Sequence, residues 1–440
     1  MAEESPANSG LLLSIERDLE NLPVSTPSSG SPVSPPFIYR VPDELRRGNP
    51  THYTPSTICI GPLHAATPGL LATQQLKIHF LHTFLSRHSL ATTLDSLLQL
   101  LKEKEESARL CYADQIDLSS DEFVKMMLLD GCFILELMSK QESGQILSRR
   151  DPVFRGRATG PLLYNLQHDL LLLENQLPLL VLKALADATR PGEGSQPLVR
   201  RILTFFANFF PVGKTKLNYV DYKREPRHLL ELVLFTLFSP PLKSMQLNPN
   251  PSSTAMAWNY ARSISELELY GIELKTMVTH HLSDVRFSNG ALTIPTLVIQ
   301  EWTASLFNNL LALEHFSDEK DSCFASYLVL MSTLINNHKD VDRLLRAGVL
   351  ETWFNDKQVL VSLFSNLTAN VAFNKEDFPF GYVFDALNEY CSSWYVKRRA
   401  YFMRYYYESR WDILITILIF ILTVTQTLFS ILSYGCPKKS

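Results

Sequence analysis

The sequence predicts a mainly α-helical protein: one large helical domain with a small β-hairpin, followed by a single C-terminal transmembrane helix. Three observations carry this expectation. Apolar residues recur at three- and four-residue steps through most of the chain, as in helices with one buried face. Strand-like alternation is confined to one stretch around Asn289–Gly290. Trp411 to Leu432, WDILITILIFILTVTQTLFSIL, carries no charge after Asp412. A helix rises ~1.5 Å per residue, so about twenty such residues cross a ~30 Å hydrocarbon core.

The elements follow in order. Residues 1–36 hold a short apolar run, Leu11 to Leu22, then PVSTPSSGSPVSPP, and are expected to form an extended Pro/Ser-rich leader. Residues 37–410 form the helical domain. Its first segment, Phe37 to His64, has prolines at 42, 50, 55 and 62. That spacing forbids a long helix and predicts an extended arm on the domain surface, anchored by Ile38, Val41, Leu45, Tyr53, Ile58 and Ile60. Helical spacing begins at Ala72 and continues through Leu101. Ser119–Ser120–Asp121–Glu122 opens the run FVKMMLLDGCFILELM with helix-start chemistry, and a run apolar almost all round belongs in the core. After a loop at 149–161 comes LLYNLQHDLLLLENQLPLLVLKAL, which Pro178 should kink or restart. RPGEGSQ (190–196) reads as a turn and 239–255 as a linker. Helices are expected over Leu198–Phe210, Pro226–Phe238, Ser305–Phe316, Cys323–Asn336, Val341–Leu350, Lys357–Leu367 and Tyr382–Met403. SISELELYGIELK (263–275) carries helix-start chemistry, and 285–299 is the hairpin. Residues 411–434 form the transmembrane helix and 435–440 a short tail.

With 440 residues, 46% of them hydrophobic, the chain can bury a sizeable core. A net charge of −4 points to no nucleic-acid partner. Six scattered cysteines form no CxxC pair and fit a reducing cytosol. The N-terminus MAEESPANSG lacks the basic and apolar regions of a secretory signal. Five cations precede the apolar span, Lys397, Arg398, Arg399, Arg404 and Arg410, against Lys438 and Lys439 beyond it. The positive-inside rule then predicts a tail-anchored, single-pass membrane protein with its large domain in the cytosol. The plasma membrane is the expected location.

Catalytic motifs are missing from the sequence: no phosphate loop, no HExxH and no GxSxG elbow occur. Neither metal nor cofactor is expected. His79 with His82, and His280 with His281, lack a matched third ligand. His64 reads as a structural histidine. Asp130 and Glu136, six residues apart on one helix, are expected on different faces. Asp169 and Glu174, with Asn175, interrupt a buried leucine run and are expected to be buried, hydrogen-bonded structural groups. The basic and aromatic run before the span, with Lys397, Arg398, Arg399, Tyr401, Arg404, Tyr405, Arg410 and Trp411, suits a membrane–water interface and anionic lipid. Thr416, Thr423, Thr427 and Ser430 form one stripe that could pair the span with a second copy. The alternative is that each hydroxyl bonds to its own preceding helical turn.

Several stretches resemble the plant family of uncharacterised proteins called domain of unknown function 247. They are IYRVPDELRRGNPTHYTPSTICIGPLH, FVKMMLLDGCFILELM, DLLLLENQLPLLVL, SELELYGIEL, TIPTLVI, SLFNNLLALE, RAYFMRYYY and LTVTQTLFSIL, in that order. One departure is Ser409–Arg410 before the final Trp411, where a small residue and Pro are expected. The resemblance implies a plant membrane protein without established enzymatic activity and brings no catalytic residues. Some grass members are implicated in self-incompatibility recognition. The function expected is protein–protein interaction or recognition at a membrane, with an unidentified protein partner. The alternative is a membrane-bound enzyme of unidentified chemistry.

Overall fold

A computed structural model describes residues 35–70, 73–87, 93–144, 159–189, 195–212, 224–238, 262–279, 281–316, 323–369, 371, 378–408 and 410–435. Residues 1–34 of the expected leader, 190–194 of the expected turn, the linker at 239–255, most of the 149–161 loop, His280 and 436–440 of the tail lie outside these residues.

Sixteen α-helices are present among the described residues. After a single turn, α1 (Asp43–Arg46), come α2 (Thr73–Arg87), α3 (Leu94–Arg109) and α4 (Ser120–Glu142). α4 starts as the sequence predicts: the Ser119 hydroxyl accepts from Glu122 N–H, and the Glu122 carboxylate accepts from Ser119 N–H. Its residues from Met127 to Met138 are all buried. It packs against α2, α3, α6 (Leu179–Thr189) and α7 (Ser195–Phe205). α5 (Thr159–Asp169) ends before the leucine run, so Leu170–Leu173 form a buried turn, and the chain restarts as a helix after Pro178. α8 (Leu229–Leu237), α9 (Ile264–Leu269), α10 (Thr303–His315), α11 (Cys323–Leu334), α12 (His338–Arg346) and α13 (Lys357–Thr368) complete the core. One continuous apolar cluster runs from Phe37 to Cys391.

The helix-start chemistry at 263 opens α9, capped by Ser263, but the stretch to Lys275 is not all helix: α9 stops at Leu269, and Glu273–Met277 is strand β1. Two expectations need correcting. The helix predicted to Leu350 stops at Arg346. Gly348, at φ 72°, turns the chain so that Val349 N–H reaches back to Leu344 O, and Leu350–Thr352 becomes strand β5. The predicted helix 382–403 is two helices, α14 (Gly381–Ser392) and α15 (Trp394–Glu408), broken at extended Ser393. The predicted hairpin forms: β2 (Arg286–Ser288) pairs antiparallel with β3 (Ala291–Pro295) across Asn289 and Gly290, both at positive φ. β1 adds parallel to β3, and β4 (Leu297–Ile299) pairs parallel with β5. Strand pairing is therefore richer than one hairpin. A helix-period pattern hides short strands whose partners are distant in sequence.

α16 (Arg410–Gly435) is one unbroken helix. Its stretch Leu414–Ile431 has mean hydropathy 2.2, and none of it is buried by the rest of the chain. It is long and apolar enough to cross a membrane.

Candidate functional site

Prolines limit helix in Phe37–His64 to short turns such as α1, so many of its other backbone N–H groups must find partners elsewhere. They find side chains. Asp169, at the end of α5, accepts from three successive N–H groups, Ser56 (3.1 Å), Thr57 (2.6 Å) and Ile58 (2.9 Å). Asn175 accepts from Ile60 N–H (2.7 Å) and donates to Ile58 O (3.0 Å). Asp130 accepts from Gly61 N–H (2.8 Å) and meets the Lys77 ammonium at 2.5 Å. Glu174 accepts from Val41 N–H (2.6 Å) and from Arg46, and its other oxygen lies 2.9 Å from His64 Nε2. Gln176 donates to Leu170 O and Leu172 O, which holds the leucine turn closed. Asn309 of α10 accepts from Leu173 N–H and donates to His52 O, joining the turn to the arm.

The result is a buried polar seam between the arm and the leucine turn. Asp169 is 0% and Glu174 1% exposed. Gly61 sits where it must: its φ is +70°, and a Cβ there would come within 2.7 Å of Gln176 O. Burial pushes the Glu174 carboxyl up, but His64, Arg46 and Val41 N–H outweigh it and hold the group below its ordinary value. At Asp130 burial wins over Lys77, and the carboxyl is raised. These acids are engaged with the chain's own backbone and cations. Asp169 and Glu174 are buried and hydrogen-bonded, as expected, and His64 is paired with Glu174. The arm lies on the domain as expected: Ile38, Val41, Tyr53, Ile58 and Ile60 are buried beneath it, while Arg40, Glu44, Arg47, Asn49 and Thr51 stay exposed. Asp130 and Glu136 are both buried salt-bridge partners. Glu136 pairs with Arg87 at 2.7 Å, so both acids engage cations of α2. Long basic side chains follow the surface of a neighbouring helix, which spacing along one helix cannot reveal.

Beside the seam lie two hollows that share Asn308, Asn366 and Leu367. The inner one, about 100 Å³, is lined by Tyr53, Glu314 and His315 among others. Burial pushes the Glu314 carboxyl up to about 7, although Ala325 N–H and Phe324 N–H both donate to it. Glu314 thereby caps the start of α11. The outer one is an open cleft of about 410 Å³ between the arm, α10 and α13. Sequence reasoning missed Asn309, Gln176 and Glu314. The motifs LLLLENQLP and SLFNNLLALE contain them, but neither shows which backbone groups they meet.

At the other end, α15 buries Val396 and Ala400 and exposes Lys397, Arg398, Arg399, Tyr401 and Arg404. Trp394, Tyr395 and Phe402 are exposed with them. The Arg398 guanidinium lies 5.1 Å from the Trp394 ring centre. The side chains of Tyr405, Arg410 and Trp411 lie outside the described ones. On α16, Thr416, Thr423, Thr427 and Ser430 are exposed. Thr423 donates to Ile419 O and Thr427 to Thr423 O, each at 2.7 Å, as in the within-helix alternative.

Among the described residues no group of three or more His, Cys, Asp or Glu could hold a metal ion. Cys59, Cys111, Cys132, Cys323 and Cys391 are buried and belong to no disulfide. Burial pushes Cys59 and Cys111 up to about 12, which keeps them protonated.

Fold and site together define the class: a large helical domain locked by a buried polar seam and continued by one long apolar helix. The family model described as plant protein of unknown function, DUF247, matches residues 38–425, and the chain belongs to that family. It is similar to UPF0481 protein At3g47200 of Arabidopsis thaliana, 30% identical over 91% of this chain and 87% of that protein. A second UPF0481 protein of Arabidopsis thaliana, At3g02645, is 20% identical over 94% of this chain and 92% of its own. No solved structure matches the chain.

Proposed function

We propose that this is a single-pass membrane protein of the plasma membrane whose helical domain faces the cytosol and binds another protein, as a recognition or signalling component. Supporting this is α16: eighteen residues, Leu414–Ile431, with mean hydropathy 2.2 and no cover from the domain. Side chains such as Leu418, Phe420 and Phe429 are more than half exposed. Lipid is the solvent in which such a surface costs nothing. The cations of α15 and its exposed aromatics suit the headgroup layer next to that helix.

The enzyme alternative draws on Glu314, a carboxyl raised to about 7 beside a cavity. Both of its oxygens are engaged by backbone N–H groups, which favours a helix cap over an acid poised for substrate. Interaction is the reading we adopt, and Trp353, 88% exposed, is of the residue type that dominates protein interfaces.

Two measurements test the placement. Deleting residues 411–440 should release the protein from membranes after a high-salt wash. A truncated protein that still pellets would show that another element anchors it. Asn366–Leu367–Thr368 is an N-glycosylation sequon, and Asn366 is exposed on α13. With a cytosolic domain Asn366 stays bare. A glycosidase-sensitive mass shift lost in Asn366→Gln would reverse the orientation.

A further inference from the structure

We infer that the open cleft between the arm, α10 and α13 binds an uncharged polyhydroxylated small molecule of the sugar or polyol type. Its volume of about 410 Å³ falls in the range of small-molecule sites. The chemistry of its lining then selects the ligand.

His52 is the built part of this site. Its carbonyl is held by the Ser305 hydroxyl (3.0 Å) and the Asn309 amide (2.7 Å). The Asn308 amide nitrogen donates to Ala304 O (2.7 Å), and its oxygen accepts from the Tyr53 hydroxyl (3.3 Å). Those bonds fix which end of the amide is the donor. The nitrogen therefore also donates to His52 Nδ1, at 3.1 Å. A ring that accepts at Nδ1 carries its proton at Nε2. Burial, then the neighbouring His168, lowers the His52 pKa, so the ring is neutral at neutral pH. The cleft thus contains a neutral imidazole of fixed tautomer with one N–H to offer.

Around it stand the amides of Gln358 and Asn366 and the Ser362 hydroxyl. These groups are uncharged and can each donate and accept. Among the described residues, Asp356, which accepts from Gln358 N–H as the cap of α13, is the one formal charge in the lining, and neither lysine nor arginine lines the cleft. A phosphate or carboxylate would find no cation among these described lining residues. Ala304, Val359, Leu363 and Leu367 supply aliphatic surface between the polar groups. Hydroxyl groups arrayed on a carbon skeleton match that alternation. A purely apolar ligand would strand the amides without partners.

A free Asn366 amide rests on the cytosolic placement proposed above, since a glycan there would fill the cleft. Intact-mass measurement of the purified protein separates the two failures: a glycosylated Asn366 defeats the placement, whereas a bare one leaves the ligand test standing. Full-length protein in lipid nanodiscs is titrated with glucose, sucrose and myo-inositol, and with glucose 6-phosphate as the anionic contrast, by saturation-transfer NMR. At least one neutral probe should bind saturably at millimolar concentration or below. Gln358→Ala combined with Asn366→Ala should weaken it about tenfold or more, as expected for two lost hydrogen bonds, without lowering the melting temperature. Ser362→Trp, which fills the cleft from a half-buried position, should abolish it. The inference is overturned if no neutral probe binds, if glucose 6-phosphate binds more tightly than glucose, or if both variants bind as the unaltered protein does.

Discussion

The arm seam and the α15–α16 segment treat polar and apolar groups in opposite ways. In the seam, Asp169, Glu174, Asp130 and Asn175 are buried among leucines. In α16, leucines, isoleucines and phenylalanines stand exposed. Each arrangement would be costly if the other's logic applied. Buried carboxylates are tolerable because backbone N–H groups, Arg46 and Lys77 meet them, and those partners fix one docking of the arm. The exposed apolar helix is tolerable only in a different solvent. The contrast teaches that burial alone does not identify function. What matters is whether each group has a partner within the chain.

Removing the seam's central acceptor should have the largest effect on the fold. Asp169→Ala leaves three N–H groups and the arm without their partner. We expect a loss of about 3–5 kcal/mol in domain stability, the range for uncompensated buried groups. Denaturant melts of the full-length protein in detergent, followed by tryptophan fluorescence, measure it. Asp169→Asn keeps part of the acceptor and should lose less. A loss below about 1 kcal/mol for the alanine variant would mean that apolar packing alone docks the arm.

At the opposite region, replacing Lys397, Arg398, Arg399 and Arg404 with Gln should leave that stability unchanged. Contact with anionic lipid should weaken by up to about 1 kcal/mol per cation. The assay is salt-dependent crosslinking of α15 to a photoreactive anionic lipid in nanodiscs. Equal labelling before and after the change would remove α15 from the membrane interface.

Acid and base sharpen the picture within the domain. Burial raises the Glu231 carboxyl, but Arg224, His228 and Arg227 together outweigh it and bring it to about 2. Its folded value lies below its unfolded one, so its stabilisation is present above about pH 4.5 and is lost as pH falls toward 2, by about 2–3 kcal/mol. Glu314 has the opposite sign. Its folded value of about 7 lies above the unfolded one, so the fold holds a proton that the unfolded chain releases. Stability should fall as pH rises from about 4.5 to 7 and then level off, by about 1–3 kcal/mol. Melts of Glu314→Gln should lack that slope. An unchanged slope would place the titration elsewhere.

The smallest effect concerns α16. Thr423→Leu with Thr427→Leu should reduce crosslinking of the isolated span to itself, while changes at Ile417 and Ile421 leave it. Each interhelical hydrogen bond is worth only about 0.6 kcal/mol. Both hydroxyls already bond within their own helix. Equal effects on the two faces would leave a plain lipid-facing helix.

The helical class, the start of α4 at Ser119, the Asn289–Gly290 hairpin and the apolar length of α16 were determined by the sequence itself. Each depends on residues within a few positions of one another, where spacing and cap chemistry decide the conformation. The buried polar character of Asp169 and Glu174 was legible for the same reason: carboxylates inside a leucine run must be met by something. What meets them is set by long-range packing. Ser56 to Ile58 lie more than a hundred positions from Asp169, and His52 still further from Asn309. Such packing also decided that β1 lies parallel to β3. Pairings between segments so far apart are fixed by packing the whole core at once, and no local pattern along the chain records them.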